Sequence, residues 1–345
     1  MANLTDTAYI VRKSFVWGGI GIVVLTILGF ATVATIRSIQ ENKVVPTPTP
    51  GVTFGPLPKI VTPNSLQYPT SFELLLIEGR PPETVQYGTV YLVRAKTPTL
   101  LSRKESQQFA KGLGFPAEPT QTDNTVYQYA DQDTNSHLVM DIASKNFTLR
   151  RNFIDVGVLN TPITQTETEI RKQAQTFFTR LKTWHENLSH AGVTYWTFEG
   201  QSLRETTEIS QAQLVRVDFF QPALGDFPVV TSRSDRSNVY IIFAPGDKAP
   251  RMVHEASFNY FPPDDQTMST YPLITGLAAW EQLQAGGAFI SSPVIIGTHA
   301  VVRRIYLAYY QSDNYQPYLQ LMWMFEGDNG FVAMIRATDP AWVAP

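Results

Sequence analysis

TGLAAWEQLQAGG (275–287) is followed by VVRRIYLAYY (301–310), YLQLMWMFEGDNG (318–330) and FVAMIRA (331–337), and this order decides how the fold is read. The first stretch has the spacing of a short helix, and Gly286 and Gly287 stop it. The three that follow alternate as strands, with Asp328, Asn329 and Gly330 supplying turn residues that tolerate positive φ. On YLQLMWMF, Leu319, Leu321, Trp323 and Phe325 share one face and are placed against the helix around Trp280. Tyr318, Gln320, Met322 and Met324 are left on the other. A helix across an antiparallel sheet is an α+β layer, and α+β is the expected fold class.

Two earlier stretches repeat the order. Ser102 to Leu113 is predicted as a helix with a Ser102/Glu105 capping box, between a strand at 88–95 and strands at 125–130, 137–143 and 146–151. Thr164 and Glu167 have the same capping spacing, and Ile170, Ala174, Phe177 and Leu181 form a stripe behind them. Strands are predicted near 195–200, 214–220, 239–244 and 252–260. The long 221–238 connection is expected to be functional or mobile. The body therefore divides, on this reading, into a first α+β module over 70–160 and a second α+β region of two helix-plus-strands units over 161–345.

The order Tyr271, Pro272, Ala279, Trp280, Leu283 and Gly286, then Ile305, Leu307, Ala308, Tyr309 and Tyr310, then YLQLMWMFEG and FVAMIRA, resembles the C-terminal module of YycH/YycI-like regulatory proteins and the broader PepSY-like helix-on-sheet modules. The resemblance covers mainly residues 270–338. It implies a single N-terminal membrane helix and an extracytoplasmic body without enzymatic activity, which regulates a membrane histidine kinase or works otherwise by protein contact.

VWGGIGIVVLTILGFATVATI (16–36) is 21 residues without a charge. At about 1.5 Å per residue it would span roughly 30 Å, the hydrocarbon thickness of a bilayer. It is read as an uncleaved signal anchor, with 1–15 as a short cytoplasmic segment and the body outside the cell membrane; a cleaved signal peptide and a buried core helix are the alternatives. Seven prolines at 46, 48, 50, 56, 58, 63 and 69 then predict an extended Pro-rich stalk over 44–69.

Composition narrows the function. With 27 basic and 30 acidic residues and a formal net charge of −3, the chain lacks the basic footprint of a nucleic-acid binder. It has no cysteine, which removes disulfides, thiolate metal sites and thiol nucleophiles together. No G-x-S-x-G, P-loop or G-x-G-x-x-G after a strand occurs.

Individual catalytic candidates are weak. His185, Glu186 and His190 in WHENLSH have the residue types of a helical zinc site, but 185 and 190 are five apart, about 500° of helix rather than 400°. His254 and Glu255 are expected on opposite faces of a strand, with His254 beside Met252, Ala256 and Phe258. Asp264 and Asp265 follow two prolines and are read as a solvated turn. No catalytic, cofactor-binding or metal-binding residue is assigned.

The expected function is thus a membrane-anchored, extracytoplasmic protein-interaction module, with a membrane or envelope protein as partner. Its contact residues are Tyr315, Tyr318, Gln320, Met322 and Met324, an aromatic and methionine face. The rivals are a cell-envelope hydrolase using Asp264, Asp265, Glu199 or Glu255, and a passive structural or adhesion module.

Overall fold

In chain order the strands and helices run β1 (Ser71–Leu74), β2 (Tyr87–Leu92), α1 (Ser102–Gly112), β3 (Thr120–Gln121), β4 (Val126–Asp131), β5 (Ser136–Asp141) and β6 (Phe147–Arg150). The middle of the chain gives α2 (Val156–Leu159), α3 (Glu167–Arg180), β7 (Ser189–Glu199), β8 (Ser202–Thr206), β9 (Leu214–Phe220), β10 (Val229–Val230), β11 (Val239–Ala244) and β12 (Met252–Phe258). The last part gives β13 (Asp264–Pro272), α4 (Gly276–Gln284), β14 (Phe289–Ile290), β15 (His299–Tyr310), β16 (Tyr318–Gly327) and β17 (Val332–Arg336). This computed structural model describes residues 51–63, 68–83, 86–115, 118–152, 156–200, 202–291 and 299–344, which belong to one unit spanning Pro50–Pro345.

The strands form two large sheets, so the chain is mainly β and the α+β expectation of repeated helix-on-sheet modules is corrected. One sheet has nine strands in the order β3-β4-β5-β6-β12-β11-β9-β7-β8, antiparallel throughout. The other has eight. Its path is β1-β15-β16-β17-β14, with β10 on β15 and β2 joining β13 to β16. β1 and β10 both run parallel to β15. The correction has a physical cause: strands from distant parts of the sequence complete each sheet, so a helix followed by strands is not a closed unit. Leu149 of β6 lies opposite Ala256 of β12, and Phe72 of β1 opposite Ala300 of β15.

Apolar alternation explains which faces close. Phe147, Val217, Phe219, Phe243 and Phe258 put their rings and branches on one face of the nine-stranded sheet, against Ile170, Ala174 and Phe178 of α3. Phe178 lies within 5.7–6.4 Å of the rings of Phe147, Phe219 and Phe258. On the eight-stranded sheet, Leu321, Trp323 and Phe325 do meet α4, where Trp280 lies 6.3 Å from Phe325. The Trp323 indole donates to the Ile274 carbonyl just before that helix, at 3.0 Å.

Helix entries differ from the sequence expectation in register. α3 is capped by Thr166 with Glu169, not Thr164 with Glu167: the Thr166 amide donates to Glu169 (2.8 Å) and the Glu169 amide to the Thr166 hydroxyl (3.3 Å). Both pairs fit the motif, and the one used frees Glu167 to pair with Arg171 one turn on, at 2.8 Å. Ser102 does not cap α1. Its hydroxyl accepts from the Thr99 amide at 2.9 Å, while Glu105 pairs with Lys145. At α4 the entry is as read, with the Thr275 hydroxyl accepting from the Ala278 amide and Gly286 leaving the helix at φ +85°.

Residues 51–63, expected within an extended stalk, lie along the eight-stranded sheet instead. The Leu57 amide donates to the Trp342 carbonyl (2.8 Å), the Ala344 amide to the Leu57 carbonyl (2.8 Å), and the Leu57 side chain is 0% exposed. Further up, the Val52 amide donates to Thr270 and the Gln320 side chain to the Pro58 carbonyl. Proline removes a donor but keeps its carbonyl, so a Pro-rich segment can still be tied down as an acceptor.

Among the described residues no helix is long and apolar enough to cross a membrane. The expected single-pass anchor has no support among these residues, and residues 16–36, on which it was read, lie outside them.

Candidate functional site at the junction of the sheets

The five expected contact residues separate. Met322 and Met324 are 3% and 0% exposed, packed with Val230, Phe289, Ala308, Tyr310 and Met334, with Ile60 against them. Gln320 is 2% exposed. Tyr318 is half-buried, its ring 4.9 Å from that of Phe54. The face read as an open methionine patch is thus closed, in part by residues 51–63. Only Tyr315, at 43%, remains exposed.

Tyr315 stands where the two sheets meet. The chain leaves the nine-stranded sheet at the end of β12 and passes through Asn259–Pro263 into β13 of the other sheet. Beside it run Val93–Lys96, following β2, and the β15–β16 connection that carries Tyr315. The Tyr315 hydroxyl donates to the Val93 carbonyl (3.0 Å), the Val93 amide to the Pro317 carbonyl (2.8 Å), and Phe261 meets Tyr315 edge-on at 6.0 Å. These contacts wall a cleft of about 680 Å³ whose apolar surface comes from Val93, Ala95, Tyr260, Phe261, Pro262 and Pro263. Arg94 closes one end through Asp264, its Nε 2.6 Å from Oδ2. The hydroxyl of Thr267, the Gln266 amide and Arg94 hold the Asp264 carboxyl below its ordinary pKa.

A second cavity of about 660 Å³ continues along the outer face of the nine-stranded sheet, over β5, β6, β12 and β11. The two share Thr125, Asp141, Ser144, Phe261 and Tyr315. Polar side chains line the second. The Tyr240 hydroxyl bonds Glu255, and Glu255 lies 3.4 Å from Arg150. Arg216 stacks on the Tyr240 ring at 3.7 Å and grips Asp218 through two bonds of 2.9 and 2.8 Å. Positions 216 and 218 share a face because side chains alternate along β9. Burial would lower the Arg216 pKa, but Asp218 outweighs it and the guanidinium is held charged. Asp218 also accepts from the Ser237 amide (2.8 Å), which fixes the end of the 221–238 connection. That connection is a tether as well: the Tyr309 and Gln311 amides donate to the Pro228 and Val230 carbonyls, at 2.8 Å each.

The hydrolase carboxylates do not converge. Asp264 and Asp265 border the first cavity, Glu255 the second, and Glu199 pairs with Arg204 near the β7–β8 turn. His254 and Glu255 are not on opposite faces. A bulge between Ile242 and Phe243 of the partner strand leaves His254 as the extra residue, and its ring meets Phe198 at 5.5 Å on the outer side, away from Ala256. WHENLSH is not helical either: α3 ends at Arg180, and the His185 ring lies against Tyr260, 5.0 Å away. Burial pushes the Tyr260 hydroxyl up to about 12. Among the described residues no three His, Asp or Glu side chains come together as metal ligands.

Sequence reasoning missed Phe261, Arg94 and the 93–96 segment, because a junction between sheets has no local pattern. The only signal was FPPDD (261–265), two prolines that forbid continued ladder pairing after an aromatic.

No family model and no curated protein matches this chain. Among solved structures, it is similar to an uncharacterized protein from Eubacterium rectale, with 12% identity, a TM-score of 0.37, and coverage of 74% of this chain and 84% of that one.

Proposed function

We propose that this chain works by protein contact rather than by chemistry of its own, through the cleft beside Tyr315. The observation that carries the proposal is the placement of Tyr315: an exposed aromatic, pinned through its hydroxyl, at the meeting of two cavities. Tyrosine offers large contact area and a polar tip at small entropic cost, as recognition surfaces require. Two of the carboxylates nearby serve structural bonds, Asp264 on Arg94 and Asp141 on the amides of Ala143 and Ser144. A resemblance to YycH/YycI-like proteins supports a regulatory form of contact.

The test replaces Tyr315 by a photo-crosslinking phenylalanine analogue in the producing cells. A discrete adduct should form, and Ala95→Trp, which fills the cleft from its exposed rim, should abolish it. An adduct indifferent to Ala95→Trp, or equal to one obtained from exposed Leu277 on α4, would contradict the proposal.

A further inference from the structure

We infer that the joined groove receives an extended peptide segment rich in lysine or arginine, lying against Tyr315 and Phe261. This rests on the contact reading above and names its partner class.

Length points to a chain-like occupant. Each cavity falls within the roughly 300–1,000 Å³ of small-molecule sites, and the two abut at five shared lining residues, so an occupant that reaches both is longer than one such site holds. Charge then selects the kind of chain. Arg94 is held by Asp264 and Arg150 by Glu255, so these four cancel. What remains along the lining is one cation, Lys96, against four carboxylates, Asp123, Asp141, Asp265 and Asp313. A polyanion such as nucleic acid is repelled, and a cationic segment is drawn in. Asp313 adds a specific place for it. It is exposed on the β15–β16 connection where it lines the second cavity, and among the described residues no basic group is set against it. A bound ammonium or guanidinium would supply the missing countercharge.

The aromatic wall suits the same occupant. Lysine and arginine pack over tyrosine faces, and the groove's outer sheet already holds one such pair in Arg216 on Tyr240. Tyr315 and Phe261, at the junction of the cavities, offer the equivalent surface to an incoming chain.

The experiment uses the full chain and three fluorescein-labelled octapeptides, alternating Lys–Tyr, Ser–Tyr and Glu–Tyr, followed by anisotropy near physiological salt. The Lys–Tyr peptide should bind about tenfold or more tighter than the other two. The double variant Asp265→Asn with Asp313→Asn should weaken it about three- to tenfold, as loss of two partly exposed charge contacts would. Glu281→Gln, an exposed charge on α4, should leave it unchanged. Equal binding of the three peptides, or no response to the double variant, overturns the inference. If the Ser–Tyr or Glu–Tyr peptide binds tightest and Tyr315→Ala removes it, the charge assignment fails while the contact reading stands. If no peptide responds to Tyr315→Ala, both fail.

Discussion

The Tyr315 hydroxyl donates to the Val93 carbonyl across 3.0 Å, joining the β15–β16 connection to the segment that leaves β2. These positions are 222 apart in sequence, and their bond sets one wall of the groove. Tyr315→Phe removes the bond and keeps the ring, so urea unfolding should show a loss of about 0.5–1.5 kcal/mol. Partner capture should survive Phe at this position and fail with Ala, which also removes the contact to Phe261.

Leu57 fastens the N-terminal part of the described chain. It is fully buried with Val90 and Tyr271, so Leu57→Ala should cost about 2–5 kcal/mol, read as a lowered denaturant midpoint. A change within a few tenths would mean that residues 51–63 detach freely in solution.

Gly327 and Gly330 flank one turn and should respond differently. A Cβ at Gly327 would lie 2.0 Å from the Val301 carbonyl oxygen, so Gly327→Ala forces the β15–β16 pairing apart, at about 1–3 kcal/mol or more. Gly330 has open space but φ +72°, so Gly330→Ala should cost only about 1 kcal/mol. Thermal melts of the two variants give the comparison.

Burial lowers the His254 pKa below its ordinary 6.5, with Glu255 opposing and Arg150 reinforcing the shift. The unfolded chain then takes up the proton first. The contribution of His254 is fully present above about pH 6.5 and is lost as the pH falls through the folded value. Stability measured between about pH 7 and 5 should fall, and His254→Gln should flatten that fall. An identical slope in the variant would show that other groups cause it.

Strands with strong alternation were legible in the sequence: LVRVDFF and VYIIFA occupy the residues read for them, at 214–220 and 239–244. Thr275 and Gly286 likewise marked the ends of α4. What the sequence could not carry was pairing at long range. The partners of β1, β6 and β13 lie in distant segments, and those partners turned three supposed modules into two shared sheets. The same blindness misplaced the contact face. Alternation placed Met322 and Met324 opposite Trp323 correctly, but only the folded chain shows that this face is covered. Strict alternation also failed at His254, where one extra residue in β12 turns it outward beside Glu255's side of the sheet.

Hydrogen exchange of the full chain with and without its captured partner tests the central claim most directly. Contact at the junction groove should slow exchange in 93–96, 260–266 and 311–316, and leave α3 and α4 unchanged. Slowed exchange confined to either helix, with those three segments unaffected, would contradict it.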